Sequence, residues 1–378
     1  MEKAESSSSR KRRRVNPTAA PPAHVPRSVL RIGDREFLPG ESGKVEIKIG
    51  SLIDYQPVTM TVHVHRGKQP GPRILLSAAL HGDEIVGVEI VRSFLRSRHL
   101  SRLHGDVVAV PVVNLPAFLA RSRYLPDRRD LNRVFPGSTN GSLGSRLASV
   151  YLQEVVAKCT HIIDFHAGSV NQPNLPQIRF SPGDTAALAM ARAFRAPVAI
   201  ETTVRAGSFR ESAYRKGIPY LLYEAGEAHR VDHADIRCGL QGITGVMRHL
   251  GMFPEEVRHP RKGKAKVKGK RPETFISPST SWLRAPRGGI FRPFVDLGEA
   301  VTKGMVAGIV ADPFGQHETD IIARTEGIVI GISRKAAVDE GDGTFHVAQT
   351  THAVTVQESI QENRSLIDAE EAADTAAW

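Results

Sequence analysis

Chemistry in this chain is most plausible where two imidazoles and a carboxylate follow short apolar runs. His81-Gly-Asp-Glu84 comes directly after Ile74-Leu-Leu-Ser-Ala-Ala-Leu80, and Asp164-Phe-His166 follows Ile162-Ile163. Side chains delivered this way from strand ends suit a catalytic zinc, which takes three protein ligands and keeps one position open for water. His81 and Glu84 can converge on one ion if the chain turns into a helix after the first strand. His166 must then come from a neighbouring strand. Asp164, two residues earlier, points to the same face of that strand and could orient an imidazole from behind the metal. One zinc per chain, held by His81, Glu84 and His166, is the expectation, and with it a hydrolase.

A metal-bound water needs a base, and a carboxylate near the metal is the usual choice. Tyr220-Leu-Leu-Tyr-Glu-Ala-Gly-Glu227 ends an apolar run with two of them, so Glu224 is the candidate and Glu227 its rival. A third cluster, Arg121 to Gly137, is dense in arginine. Arginine forks hold carboxylates bidentately, and a neighbouring asparagine supplies both a donor and an acceptor. Its closeness in sequence to the metal candidates favours an anion-binding loop over a merely solvated one.

Taken in order, His81-x-x-Glu84, Asp130-Leu-Asn-Arg133, Asp164-Phe-His166 and Glu224-x-Gly226 resemble the succinylglutamate desuccinylase/aspartoacylase family over roughly residues 45–250. Those enzymes are zinc amidohydrolases with a carboxypeptidase-like fold. The resemblance implies that His81, Glu84 and His166 bind zinc and that Glu224 is the general base and acid. It further implies that Asn132 and Arg133 hold the substrate carboxylate and that Arg123, which precedes Tyr124, polarises the scissile carbonyl. Arg210, in Gly207-Ser-Phe-Arg210, is a further candidate for substrate binding. The expected reaction is cleavage of the amide bond of a small N-acyl amino acid. A zinc carboxypeptidase acting on peptides would share the same ligands and is the rival enzyme.

These groups need a scaffold of alternating strands and helices. Apolar runs predict strands at Val58–Val64, Ile74–Leu80, Val107–Val113, His161–Phe165, Val198–Glu201 and Pro219–Tyr223. Helical periodicity predicts helices at Ile85–Leu95, Leu143–Cys159, Ala186–Phe194 and Ser208–Lys216. That alternation is the pattern of an α/β fold. Its form is a mixed sheet sandwiched by helices, resembling zinc carboxypeptidases, with ligands at strand ends where open α/β sheets bind them. Beyond the linker, closely spaced glycines between short Val/Ile runs predict a small lipoyl-like β-domain. Glu318–Ala323 places no lysine at a hairpin tip, so no attached cofactor is expected there. The anticipated organisation is a basic tail (1–27), a catalytic domain (28–257), a basic linker (258–275), the β-domain (276–356) and an acidic tail (357–378).

The net charge of +11 invites a nucleic-acid reading, but residues 1–27 carry +5 of it and residues 258–271 carry +8, leaving −2 for the rest. The catalytic region is near neutral, and the basicity sits in segments of low-complexity character. Neither interleaves aromatics with its charges as single-strand readers do, so a nucleic-acid or anionic-surface binder is the weaker alternative. No run is long enough to span a membrane, and no apolar stretch follows the basic N-terminus as a secretory signal requires. With only Cys159 and Cys238, a reducing compartment such as the cytoplasm is expected. A homo-oligomer is compatible with the sequence.

Overall fold

The computed structural model describes residues 28–253 and 272–374, with side chains as far as Leu366. The basic tail (1–27) and most of the basic linker therefore lie outside the described residues. A short hairpin, β1 (Leu30–Ile32) and β2 (Arg35–Phe37), precedes the main sheet. That sheet begins with β3 (Ser42–Ser51) and β4 (Pro57–Arg66). Val58, Met60, Val62 and Val64 of β4 are buried in strict alternation, as a strand covered on one face requires. Next come β5 (Gln69–Ala78), β6 (His104–Val110) and β7 (His161–Gly168), buried almost throughout because both faces are covered. The sheet continues with β8 (Asn174–Phe180), β9 (Val198–Glu201) and β10 (Tyr220–Glu227). Across it the order is β3-β4-β6-β5-β7-β10-β8, with β9 beside β8. The centre, β6-β5-β7-β10, is parallel, and the flanks are antiparallel at β4 and β8.

The helices that connect these strands are α1 (Val86–Leu95), α2 (Leu115–Leu119), α3 (Leu143–Val150), α4 (Thr185–Phe194), α5 (Phe209–Arg215) and α6 (His233–His249). Side-chain caps start several of them. The Ser208 hydroxyl accepts from Glu211 N at 3.1 Å, Asp184 from Ala187 N at 2.8 Å and Asp232 from Ala234 N at 2.7 Å, satisfying amides that the first helical turn leaves free. Beyond Val150 the helical path continues through one π turn and one 3-10 turn to Lys158, so the long helix expected to Cys159 changes register midway. Helices α1, α4 and α6 cover one face of the sheet, packing on Ile163, Phe165, Leu221 and Tyr223. Leu147 of α3 and Phe209 of α5 pack on the other face against Ile162 and Tyr220. Further along that second face stand Asp164, His166, Leu222 and Glu224.

At the opposite end of the sheet, Asp106 is buried between two arginines. Arg66 Nε donates to Oδ1 at 3.1 Å, and Arg73 donates from Nε and Nη2 to Oδ2 at 2.9 and 2.7 Å. Removing one partner of such a group strands buried charge. Asp106→Ala is therefore expected to destabilise the fold by about 3–5 kcal/mol, measured as a shift in the urea-unfolding midpoint.

A pH effect arises at the start of β7. Burial, followed by the charge of His249, pushes the His161 imidazole down to about 4. The unfolded chain takes up this proton near the ordinary histidine pKa of about 6.5, whereas the folded chain resists it. Stability should fall as pH drops from about 6.5 towards about 4. A His161→Phe variant unfolded across that range should show a shallower decline.

The C-terminal unit is formed by β11 (Phe275–Ser277), β12 (Thr280–Arg284), β13 (Gly289–Pro293), β14 (Ala300–Val301), β15 (Val306–Ala311), β16 (Glu318–Ile322), β17 (Gly327–Ile332), β18 (Ala337–Val338) and β19 (Gly343–Gln349). Two sheets, β12-β19-β17-β14 and β16-β15-β13-β18, enclose a core that includes Leu283, Phe291, Val310, Val329 and Phe345. The boundary expected at residue 276 falls inside β11, which pairs in parallel with β9 at the edge of the main sheet. Likewise β17 meets β8 at Gly331 and Asn174, continuing the main sheet into the β-unit. Residues 357–374 of the acidic stretch, expected as a frayed helix or a tail, belong to helix α7 (Ala353–Asp374), whose Ile360 is buried against a cluster containing Leu175 and Ile328.

Candidate metal and substrate site

The turn after β5 brings the first candidate ligand into place. Ala79 adopts a left-handed φ of +48°, strain of the kind that marks positions held by their surroundings. Asn114, fully buried, holds this turn: its backbone N–H donates to Ala79 O at 3.0 Å and its Nδ2 to Leu80 O at 3.1 Å. Gly82 packs against the backbone of α2, where a Cβ would lie 2.0 Å from the Ala117 carbonyl carbon. No larger residue fits between His81 and Asp83.

His81, Glu84 and His166 are brought together, all three buried, with one donor atom from each within 4.8 Å of the others. His81 Nδ1 lies 2.7 Å from Glu84 Oε1, and His166 Nδ1 lies 2.8 Å from Glu84 Oε2. Each outer ring nitrogen meets a carboxylate, His81 Nε2 at Asp130 Oδ1 (3.0 Å) and His166 Nε2 at Asp164 Oδ2 (2.9 Å). Asp164 is held in turn by the Ser77 hydroxyl at 2.5 Å and the Tyr220 hydroxyl at 2.6 Å. Two imidazoles, one carboxylate and outer carboxylates on both rings make the donor set and support that zinc takes. The residues present fit the metal.

The electrostatics agree with that geometry. Burial would raise the Glu84 carboxyl, but His81 and His166 hold it well below the usual carboxylate range. Burial would lower the His166 imidazole, but Asp164 and Glu84 hold it well above its ordinary value. Arg123 bridges the cluster, donating from Nη1 to Glu84 Oε1 at 3.1 Å and from Nη2 to Asp130 Oδ2 at 2.9 Å.

Glu224 and Glu227 part company at a bulge. Gly226 has φ +61°, and a Cβ there would lie 2.6 Å from Asp235 Oδ2. Register is lost between Glu224 and Glu227 against β7. Glu224 lines a cavity of about 440 Å³ with His81, Glu84 and His166. Glu227 lines a different one and pairs with Arg230 at 2.5 Å. Burial pushes the Glu224 carboxyl up, against the pull of Arg179. Asn174 Nδ2 donates to Glu224 Oε2 at 3.2 Å.

The other expected residues are placed unequally. Asn132, Arg133 and Arg210 all line the cavity, and Phe135 N donates to Gly207 O at 3.0 Å, which ties the two segments together. Asn132 Oδ1 accepts from Phe209 N at 2.9 Å, which leaves its Nδ2 as the free donor. The Arg133 side chain is exposed apart from one bond to Asn132 O at 2.7 Å. Arg210 spends its guanidinium on the carbonyls of Phe180, Thr202 and Thr203 and on the Thr202 hydroxyl. Burial lowers its pKa to about 10. These bonds tie Arg210 to the backbone of the cavity wall. Sequence reasoning passed over Asp130 as the partner of His81, Asn174 as the partner of Glu224, and Arg179. An arginine flanked directly by Ile178 and Phe180 was the available signal for the last.

Comparison with known proteins agrees with this picture. The catalytic-domain model of the succinylglutamate desuccinylase/aspartoacylase family matches residues 70–250. An N-alpha-acetyl-L-2,4-diaminobutyric acid deacetylase from Halomonas elongata is 27% identical over 311 residues, covering 79% of this chain and 86% of that protein. A solved succinylglutamate desuccinylase/aspartoacylase from Rhodobacter sphaeroides is 26% identical with a TM-score of 0.69, covering 81% of this chain and 94% of its own. The product-bound ectoine utilization protein EutE (DoeB) from Ruegeria pomeroyi is 25% identical with a TM-score of 0.71, covering 85% and 98%. The expected mixed α/β fold and the family resemblance are both borne out: residues 70–250 match the catalytic domain of the succinylglutamate desuccinylase/aspartoacylase family, and the fold is shared with solved proteins of that name.

Proposed function

We propose that this protein hydrolyses the amide bond of a small N-acyl amino acid, with zinc held by His81, Glu84 and His166. The observation that carries the reading is Glu224, a half-buried carboxylate in the same cavity as that cluster, whose pKa desolvation raises. The chemistry supplied by zinc when bound there is acidification of a water and polarisation of a carbonyl oxygen. Glu224 takes the water's proton and returns it to the leaving amine. Asn174 fixes its Oε2, leaving Oε1 to exchange the proton. A carboxyl raised by burial suits both halves of that cycle, since general acid–base catalysis works best with a pKa near the working pH. Arg123 places a guanidinium edge beside the cluster, where negative charge develops on the former carbonyl oxygen. Asn132 and Arg133 hold the substrate's α-carboxylate at the mouth.

A cavity of about 440 Å³ is at the small end of ligand sites, which suits an acyl amino acid better than a peptide. The relative from Halomonas elongata, named as a deacetylase of an acetylated amino acid, supports the same class. We place the reaction in the cytoplasm on the two buried cysteines, which form no disulfide; no described helix is long and apolar enough to cross a membrane. A screen of N-acetyl and N-succinyl amino acids beside matched peptides, reading released amine, tests the proposal. Release from the acyl amino acids is the expected result, and release from peptides alone would transfer the site to the carboxypeptidase reading.

A further inference from the structure

Behind the candidate base lies a second cavity, of about 660 Å³, which the reaction proposed above does not use. It forms where the bulge of β10, the first turn of α6 and helix α7 come together. Asn174 lines both cavities and holds Glu224 Oε2, so the second cavity backs onto the candidate base. Its apolar wall includes Pro173, Pro176, Pro197, Val231 and Leu297.

Asp235 of α6 lines this cavity and is only 8% exposed. Among the described residues its carboxylate has no hydrogen bond and no ion pair, and neither oxygen is sealed in the core. The Arg364 guanidinium, on α7, lines the same cavity and is likewise unpaired among the described residues. The other charged groups nearby are engaged. Glu227 on β10 pairs with Arg230 at 2.5 Å, and Asp232 caps Ala234 N at 2.7 Å. Asp296, close to Arg364, pairs with Arg334 at 2.6 Å. Burial, then the charge of Asp232, pushes the Asp235 carboxyl up to about 7, against the pull of Arg364. A carboxylate this deeply buried is costly without a donor. Here the open cavity is where a donor can come from.

We propose that this cavity is a second binding site, for a free α-amino acid with a branched apolar side chain. The ligand's ammonium donates to Asp235, its carboxylate lies in the Arg364 fork, and its side chain meets the prolines and Leu297. The site goes beyond the amide-hydrolysis reading and does not depend on it. Both contacts are charge-assisted, and the guanidinium fork matches a planar carboxylate. An apolar cavity of this size with a few convergent charged groups has the make-up of a small-molecule site. An amine lacking the carboxylate would leave Arg364 unanswered. An acid lacking the amine would bring a second negative charge towards Asp235.

Equilibrium dialysis of radiolabelled L-leucine with zinc-loaded full-length protein tests the site. Leucine should bind, and isoamylamine and isocaproate, which each lack one charged group, should compete at least about tenfold more weakly. Asp235→Asn should weaken leucine at least about 30-fold. Arg364→Gln, at an exposed position, should weaken it about fivefold. Arg133→Gln alters the mouth of the catalytic cavity and should leave leucine binding unchanged. As pH falls below about 7, Asp235 takes up the proton that the ligand's ammonium must displace. Wild-type affinity should then drop about tenfold per unit, and Asp235→Asn should lose that dependence. No bound leucine, equal competition by the amine or the acid, a flat pH profile, or unchanged binding in Asp235→Asn overturns the site. Loss of binding in Arg133→Gln alone would place the leucine in the catalytic cavity and overturn it as well. Should Asp235→Asn fail to fold, the Arg364→Gln loss, the competition order and the wild-type pH profile decide the question on the same terms.

Discussion

His166→Ala protein should purify folded but bind zinc at least about 100-fold more weakly, with amide hydrolysis lost in proportion. Removal of an outer partner of a metal ligand typically costs 10–100-fold in metal affinity, and removal of a direct ligand should cost more. The folded state should survive because the neighbours keep other partners. Asp164 retains the Ser77 and Tyr220 hydroxyls, and Glu84 retains the Ala167 N–H at 3.1 Å. Asp164→Asn supplies the graded comparison, with a loss within the 10–100-fold range. Metal content by mass spectrometry and kcat/KM on the same samples check both. Undiminished zinc in His166→Ala would remove His166 from the ligand set.

Glu224→Gln is the second large effect. The amide is nearly isosteric, keeps an oxygen for Asn174 and leaves the metal cluster intact, yet it cannot take up the water's proton. General acid–base groups contribute about 10²–10⁴-fold, so kcat should fall by that factor while KM and zinc content change little. That pattern identifies an interaction made only on the way to the transition state. Glu227→Gln should leave kcat within about threefold, since Glu227 lines the other cavity and surface ion pairs such as its bond to Arg230 contribute little.

The buried His81, Glu84 and His166 cluster was legible because its parts are local in sequence and unusual in type. H-x-x-E after an apolar strand and D-x-H at the end of another are patterns that one face of a strand and one turn bring together. The long helix expected over Leu143–Cys159 was right in direction and wrong in regularity, since a π turn and its register shift leave no mark on hydrophobic periodicity. Strand β8 was missed. Asn174-Leu-Pro-Gln-Ile-Arg-Phe180 mixes proline and charge into the run, and a strand with one face on a polar cavity lacks the apolar alternation that pattern reading depends on.

Missing β8 also hid Asn174 and Arg179. The separation of Glu224 from Glu227 depends on a single positive-φ glycine, which spacing alone cannot reveal. Least visible was the place of Trp282 and His346 in the lining of the catalytic cavity. They sit more than a hundred residues from Arg179 in sequence, and only the pairing of β17 with β8 brings them to the same cavity.

The central claim is that His81, Glu84 and His166 hold one zinc that amide hydrolysis requires. The measurement that reaches it most directly is a zinc titration of chelator-stripped full-length protein, with hydrolysis of an N-acetyl amino acid recorded at each step. Activity absent at the start, rising linearly and breaking at one zinc per chain, is the predicted result, with no rise in His166→Ala. Full activity in the stripped wild type, or the same titration curve in His166→Ala, would contradict it.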